Sequence, residues 1–191
     1  MKRQIILAST SPRRKQLLEI LSIKFKAVDP GYEEIMQPNL NHEEQVKFLA
    51  FGKAKAAAKK FPNAIIIAAD TMVSFSGKIM GKPENEKEAF KILKSFSGKT
   101  QYIISAVAIL DSKTKEIFCR AEKMKVTLKK LSSKEILGYI ATKEGRDRAG
   151  GYAFQGVGFN LIEKVEGDIT VSVGMPMTLV YNGLKRFNVS F

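Results

Sequence analysis

Ala64-Ile65-Ile66-Ile67-Ala68-Ala69 is a run of six apolar residues with no polar break, and it ends in Asp70. Such a run is expected of a central strand covered on both faces, because a strand with one wet face alternates polar and apolar residues. The segments around it supply the cover. Ile5-Ile6-Leu7-Ala8 reads as a short buried strand, followed by Ser11 as N-cap and Pro12 as first helical residue, with Leu17, Leu18 and Leu21 at helical spacing. Residues 24–29 alternate like a strand, and a second helix starts near Asn41, with Glu44 completing a capping box, and runs to about Lys60. Beyond Asp70 come a hairpin at Ser76-Gly77 and a third helix from Asn85 and Glu88 to Gly98. Two long strands, about 101–110 and 116–129, precede a fourth helix from Ser132 and Glu135 to about Ala141. A glycine-dense loop (150, 151, 156, 158) leads to a strand FNLIEKV, then EGD at 166–168, and a last helix from about Pro176. Strands and helices interleave, so the fold class is α/β or mixed α+β.

A chain of 191 residues fits one domain or two closely joined lobes. On folding it would bury roughly 70% of its unfolded surface, enough for a core without disulfides or structural metal. No apolar run approaches the roughly 20 residues that span a bilayer, and the opening apolar stretch is too short for a signal peptide. A single cysteine, Cys119, excludes an internal disulfide framework and suits a reducing cytoplasm. The single histidine, His42, sits at the start of a helix and reads as a solvated flanking residue. Chemistry must then rest on carboxylates, Lys and Arg, with room for a hard metal ion. The net charge of +13 favours nucleic acid, anionic lipid or small phosphorylated substrates, although scattered lysines on a solvated surface account for most of it.

The helix opening at Ser11 places Arg13, Arg14 and Lys15 in its first turn, where the helix dipole favours acids. Hydroxyls at Ser9, Thr10 and Ser11, free backbone N–H groups and guanidinium forks there make a phosphate cradle, or else a capped surface helix with solvated cations. Asp70 lies where α/β proteins place their sites, as a metal ligand or a base for water, or else as a turn residue. Glu33 and Glu34 add carboxylates able to share a hard cation. Lys82, between Gly81 and Pro83, stands on a stiff backbone that could aim it at phosphate. Lys53 and Lys55 are two apart on a helix, so at most one points into a site. Gln155, in AGGYAFQGVG, could hydrogen-bond a base edge, and this loop lacks the endings of both the Walker A and the dinucleotide motifs. Met175, Met177 and Phe187 read as core.

Together these segments resemble the Maf family of nucleoside triphosphate pyrophosphatases, also called septum formation proteins. The matching pieces are LASTSPRR (7–14), YEE (32–34), KAKA (53–56), AADT (68–71), GKP (81–83), SFSGKT (95–100), DRAGGYAFQG (147–156) and EGD…VGMP (166–176), in family order across nearly the whole chain. The resemblance implies a single catalytic domain over 1–191. Its fold would be related to the inosine triphosphate pyrophosphatases, a long twisted mixed sheet flanked by helices, in two lobes with a cleft between. It implies hydrolysis of a nucleoside triphosphate to the monophosphate and pyrophosphate with Mg²⁺ or Mn²⁺. By position, Asp70 would be the general base, with Ser9, Arg13, Glu34, Lys53 and Lys82 around the phosphates and metal, and Glu33 an alternative to Glu34. Arg13, Thr71 and Gln155 match the dTTP and UTP subgroup rather than the 7-methyl-GTP subgroup. DRAG, GYAFQ and Ile169 depart from the usual family residues.

The resemblance further implies a cytoplasmic enzyme acting on free nucleotides with no nucleic acid or membrane partner, and it favours a homodimer. A triphosphate brings about four negative charges, and cleavage at the α-phosphorus must stabilise a leaving pyrophosphate. Two rival readings remain: a basic nucleic-acid-binding protein, for which the chain shows no RNP1 or zinc-finger motif, and a division regulator acting through protein contacts.

Overall fold

The computed structural model describes residues 3–190. Seven strands and six helices follow one another as β1 (Gln4–Ala8), α1 (Pro12–Glu19), β2 (Lys26–Val28), α2 (His42–Lys60), β3 (Ala64–Phe75), β4 (Lys78–Met80), α3 (Glu86–Phe96), β5 (Thr100–Asp111), β6 (Ile117–Leu128), α4 (Ser133–Ala141), β7 (Ile162–Glu166), α5 (Thr170–Val173) and α6 (Met177–Arg186). The strands form one mixed sheet in the order β2-β1-β3-β5-β6-β7, with β4 paired to β3. β1 runs parallel to both β2 and β3, while β3–β4 and β6–β7 are antiparallel.

Local chemistry sets the helix starts. Ser11 caps α1 with Pro12 behind it, and reciprocal capping boxes open α2 at Asn41/Glu44 and α4 at Ser132/Glu135. α3 has half of that device: Asn85 accepts from Glu88 N at 3.0 Å, but the Glu88 carboxylate accepts from Glu84 N at 2.6 Å instead of returning to Asn85. Ser76 (φ 48°) and Gly77 (φ 76°) give β3–β4 the double left-handed turn that matches strand twist.

The structure departs from the sequence reading in four places. β3 does not stop at Asp70 but continues through Thr71-Met72-Val73-Ser74-Phe75, where Val73, Ser74 and Phe75 pair with Met80, Ile79 and Lys78 of β4. Asp70 is therefore mid-strand rather than terminal. β2 is shorter than 24–29. The first part of FNLIEKV is a 3₁₀ segment, Gly156–Leu161, because the Glu144 carboxylate accepts from Val157 N (3.0 Å) and Gly158 N (2.7 Å) and holds the chain curled. The short helix α5 has no strong sequence signal; Asp168 Oδ1 starts it by accepting from Thr170 N at 2.8 Å.

The chain divides into two compact units. The first comprises 3–71, 105–122 and 173–190, and its core gathers Leu7, Leu18, Ile65, Ile67, Val107, Ile109, Met175, Val180, Leu184 and Phe187. Ile65, Ile67 and Ala69 share that face of β3, so Ile66, Ala68 and Asp70 point to the other. The second comprises 72–104 and 123–172. Its core centres on Phe96, which is buried and meets Phe75 and Tyr152 edge-on with centroids 4.9 and 6.4 Å apart. Burial of one such large side chain contributes about 1.5–3 kcal/mol. Met175 and Phe187 are core residues as the sequence suggests, and Met177 packs half-buried against them.

Two glycines of the second unit should respond oppositely to alanine. Gly138 lies in α4 with open space where a Cβ would go, so Gly138→Ala should stabilise by about 0.5–1 kcal/mol through helix propensity. A Cβ on Gly145 would run into the carbonyl of Gly151, a backbone atom, so Gly145→Ala should cost about 1–3 kcal/mol. Urea unfolding midpoints of the two variants, moving in opposite directions, check the assignment.

Candidate active site

Asp70 sits where β3 changes neighbours. β1 pairs with β3 as far as Leu7↔Ile67 and leaves the sheet after Ala8, whereas β4 joins only at Val73↔Met80. Neither β1 nor β4 pairs with β3 at Asp70, whose side chain is nevertheless buried. On the β3 face that carries Asp70, α2 delivers Lys53. Its ammonium donates to Asp70 Oδ1 at 2.6 Å and pairs with Glu34 Oε1, also at 2.6 Å. Lys53 and Asp70 are both buried, while the Glu34 side chain is about half exposed (54%). Lys55 points away instead, exposed, with its ammonium 5.4 Å from the Phe51 ring centroid. Of the two acids the sequence left open, Glu34 makes the contact and Glu33 is solvent-exposed.

Burial pushes the Asp70 carboxyl above its ordinary value; Lys53 pulls it down by charge and hydrogen bond, Glu34 pushes it up, and Arg14 pulls it down. Two carboxylates thus converge on a single cationic atom. Two hard oxygen donors with one open flank suit Mg²⁺ or Mn²⁺, which keep water and substrate phosphate among their ligands. They do not form a closed protein cage: among the described residues no group of three or more His, Cys, Asp or Glu could hold a metal.

The turn between β1 and α1 borders the same unit. Ser9 is buried and its Oγ accepts from Ser11 N at 3.2 Å, which leaves its own proton to donate. Arg14 is not a solvated cation. Its Nε donates to Gly174 O at 2.8 Å and its Nη2 to Thr71 Oγ1 at 3.3 Å, and Thr71 is 2.8 Å from Ser105 Oγ. Burial lowers the Arg14 guanidinium's hold on its proton, and Asp70 offsets this. Arg13 is half-buried, and desolvation likewise lowers its value. The first unit therefore joins Glu34, Lys53 and Asp70 directly and Arg14 to Thr71, with Arg14 close enough to act on Asp70 by charge, and it also carries Ser9 and Arg13 in the turn before α1 and its first residues.

Lys82 and Gln155 belong to the second unit, and both are exposed. Lys82 precedes buried Pro83, and Gly150 N donates to Gly81 O at 2.9 Å, which fixes the backbone before it. Gln155 stands next to the amides that Glu144 binds. A row of N–H groups like this is an anion nest, here filled by the chain's own carboxylate. Nothing in the spacing of Glu144 and Gly156 marks that tie.

Comparison with known proteins agrees over the full length. The family model of Maf-like proteins matches residues 4–187. A protein of Bacillus velezensis named dTTP/UTP pyrophosphatase is 42% identical over 189 residues, covering 99% of each chain. One of the same name from Dictyoglomus thermophilum is 41% identical over 191 residues, covering 100% of this chain and 99% of its own. Among solved structures, the Ham1 protein of Staphylococcus aureus superposes with a TM-score of 0.55 over 97% of this chain and 98% of that one. At 12% identity, that likeness is one of fold.

A carboxyl whose folded value is raised adds stability below its unfolded value, near 3.9, and loses that contribution as pH rises through the folded value. Charged Asp70 is then a stability cost at neutral pH. Asp70→Asn keeps an acceptor for Lys53, which retains Glu34 as charge partner. The variant should melt no lower than wild type at pH 7, with the difference fading as pH falls below about 4. Lys53→Met instead leaves the buried carboxylate unpaired and should destabilise by about 3–5 kcal/mol. Calorimetric melting of both variants against pH reads the asymmetry; a lower melting point for Asp70→Asn at pH 7 contradicts it.

Proposed function

We propose that this chain, which belongs to the family of Maf-like proteins, is a pyrophosphatase that cleaves dTTP and UTP to the monophosphate and pyrophosphate. The observation that carries the reading is the Glu34–Lys53–Asp70 cluster, built on β3 of a chain related end to end to proteins named for that activity.

In this reading Asp70 accepts the proton of the attacking water. Burial raises its proton affinity above that of an ordinary carboxylate, which makes it a stronger base for that proton. Lys53 fixes the orientation of the Asp70 carboxylate by their 2.6 Å hydrogen bond. Arg13 and Lys82 neutralise the β- and γ-phosphates, and Ser9 donates its free proton to a phosphate oxygen. Arg14, already bonded to Gly174 and Thr71, serves to hold the Thr71 hydroxyl in place rather than to grip phosphate. Arg13, Thr71 and Gln155 together select the pyrimidine. A divalent Mg²⁺ or Mn²⁺ held by Glu34 and Asp70, with Glu33 nearby in sequence, would supply Lewis-acid stabilisation of charge on the phosphates. No described helix is long and apolar enough to cross a membrane. The reading places the enzyme in the cytoplasm, as a homodimer acting on free nucleotides.

A panel of nucleoside triphosphates, each assayed for pyrophosphate release with and without Mg²⁺ or Mn²⁺, tests this. dTTP and UTP should be cleaved and purine nucleotides spared, with chelation stopping turnover. Asp70→Asn and Lys82→Ala should each lower kcat by about 10²–10⁴-fold, the range of a lost acid–base or charge-stabilising group. Equal cleavage of purines would overturn the substrate, and undiminished turnover in both variants would overturn the site.

A further inference from the structure

The segment that carries Glu34 lies along α2 as a strap. Asp29 Oδ1 accepts from Gly31 N at 2.8 Å, Tyr32 rests on Gly52, Glu34 reaches Lys53, and Gln37 N donates to Gln45 Oε1 at 2.8 Å. Tyr32 and Glu34 meet the adjacent helical residues 52 and 53, and Gln37 meets 45, so the strap lies along about two turns of the helix and its far end reaches back towards the helix N-terminus. Glu34 is bracketed: Tyr32 is anchored two residues before it and Gln37 three after.

The Tyr32 anchor depends on an absent side chain. A Cβ built on Gly52 would lie 2.6 Å from Tyr32 Cε2 and nearer still to Cζ and the hydroxyl. Glycine is a poorer helix former than alanine, and α2 uses Ala50, Ala54, Ala56, Ala57 and Ala58 around it. The exception at 52 makes room for the ring. Ile35 and Met36 are largely exposed (58% and 49%), so apolar seating of the strap beside Glu34 falls to Tyr32. Gly52 is also the helical residue next to Lys53, so the seat and the ammonium share one turn of helix.

We infer that Tyr32, seated on Gly52, is a positioning residue that holds Glu34 against Lys53. Its consequence for turnover rests on the proposed pyrophosphatase reading, but its effect on the strap does not. Neither residue needs to touch substrate. Both act by limiting how far the Glu34 carboxylate can swing from the Lys53–Asp70 pair.

The test compares Tyr32→Ala, Tyr32→Phe, Gly52→Ala, Glu34→Ala and the Tyr32→Ala/Glu34→Ala double variant, with circular dichroism confirming that each folds. Amide exchange is followed in a peptide spanning 31–40, and pyrophosphate release from dTTP is measured with Mg²⁺. Tyr32→Ala and Gly52→Ala should both speed exchange and lower kcat about 10- to 100-fold, the usual effect of removing the support of a ligand residue, with KM within about twofold. Tyr32→Phe should match wild type, because the ring makes the seat. The double variant should be no worse than Glu34→Ala, since the two losses run through one group. Unchanged exchange in Tyr32→Ala overturns the seat. Faster exchange with undiminished kcat, or losses that multiply in the double variant, overturns the positioning role. If wild type cleaves no nucleotide, the pyrophosphatase reading fails, and the exchange measurements alone still uphold or overturn the seat of Tyr32 on Gly52.

Discussion

A buried carboxylate and a buried ammonium 2.6 Å apart would ordinarily be a neutral trade between desolvation and attraction. Here the balance is unequal. Burial raises Asp70 more than Lys53 lowers it, and half-exposed Glu34 adds a second negative charge to the same ammonium. Two acids on one cation leave the cluster electron-rich and partly open, and that disposition suits a further cation. The rest of the first unit serves it: α2 must stay close to β3 for Lys53 to reach, and Ala50, Ala54 and Ala57, all buried, permit a small-residue approach.

The sheet sets the surroundings of the mid-strand acid. A residue in the middle of a fully paired strand has its backbone occupied on both edges, and side chains above and below. On β3, the pairing with parallel β1 ends at Ile67 and the pairing with antiparallel β4 starts at Val73, so Asp70 takes part in neither. β1 ends at Ala8, and the turn that follows carries the hydroxyls of Ser9, Thr10 and Ser11 and leads to the guanidiniums of Arg13 and Arg14.

Most of the element pattern was legible because it is local. The run Ala64–Ala69, the capping boxes at Asn41 and Ser132 and the turn at Ser76-Gly77 each declare themselves within a few residues. Lys53 over Lys55 was legible in kind from helical geometry, but not which of the two would turn inward. What the sequence hid is non-local. The run of β3 past Asp70 depends on a partner strand, the curl of Gly156–Leu161 on Glu144, and the engagement of Arg14 on Gly174, far along the chain. Arg14 is the instructive case. Three cations in the first turn of α1 read as one phosphate cradle, yet one of the three is bonded to the fold itself.

That division bears on the charge of the whole chain. The Glu34–Lys53–Asp70 cluster alone is net negative by one charge, and adding Arg13 and Arg14 of the same unit makes the set net positive by one. The net +13 therefore does not reside at the site; it is carried mainly by exposed lysines such as Lys123, Lys125 and Lys164. Charges spread in this way create a long-range field that raises the encounter rate of an anion without adding to its affinity once bound. Such a field is screened beyond about 8 Å at physiological ionic strength, whereas a half-buried guanidinium is screened far less. The long-range field of the surface lysines and the short-range charges around Asp70 thus belong to different residues.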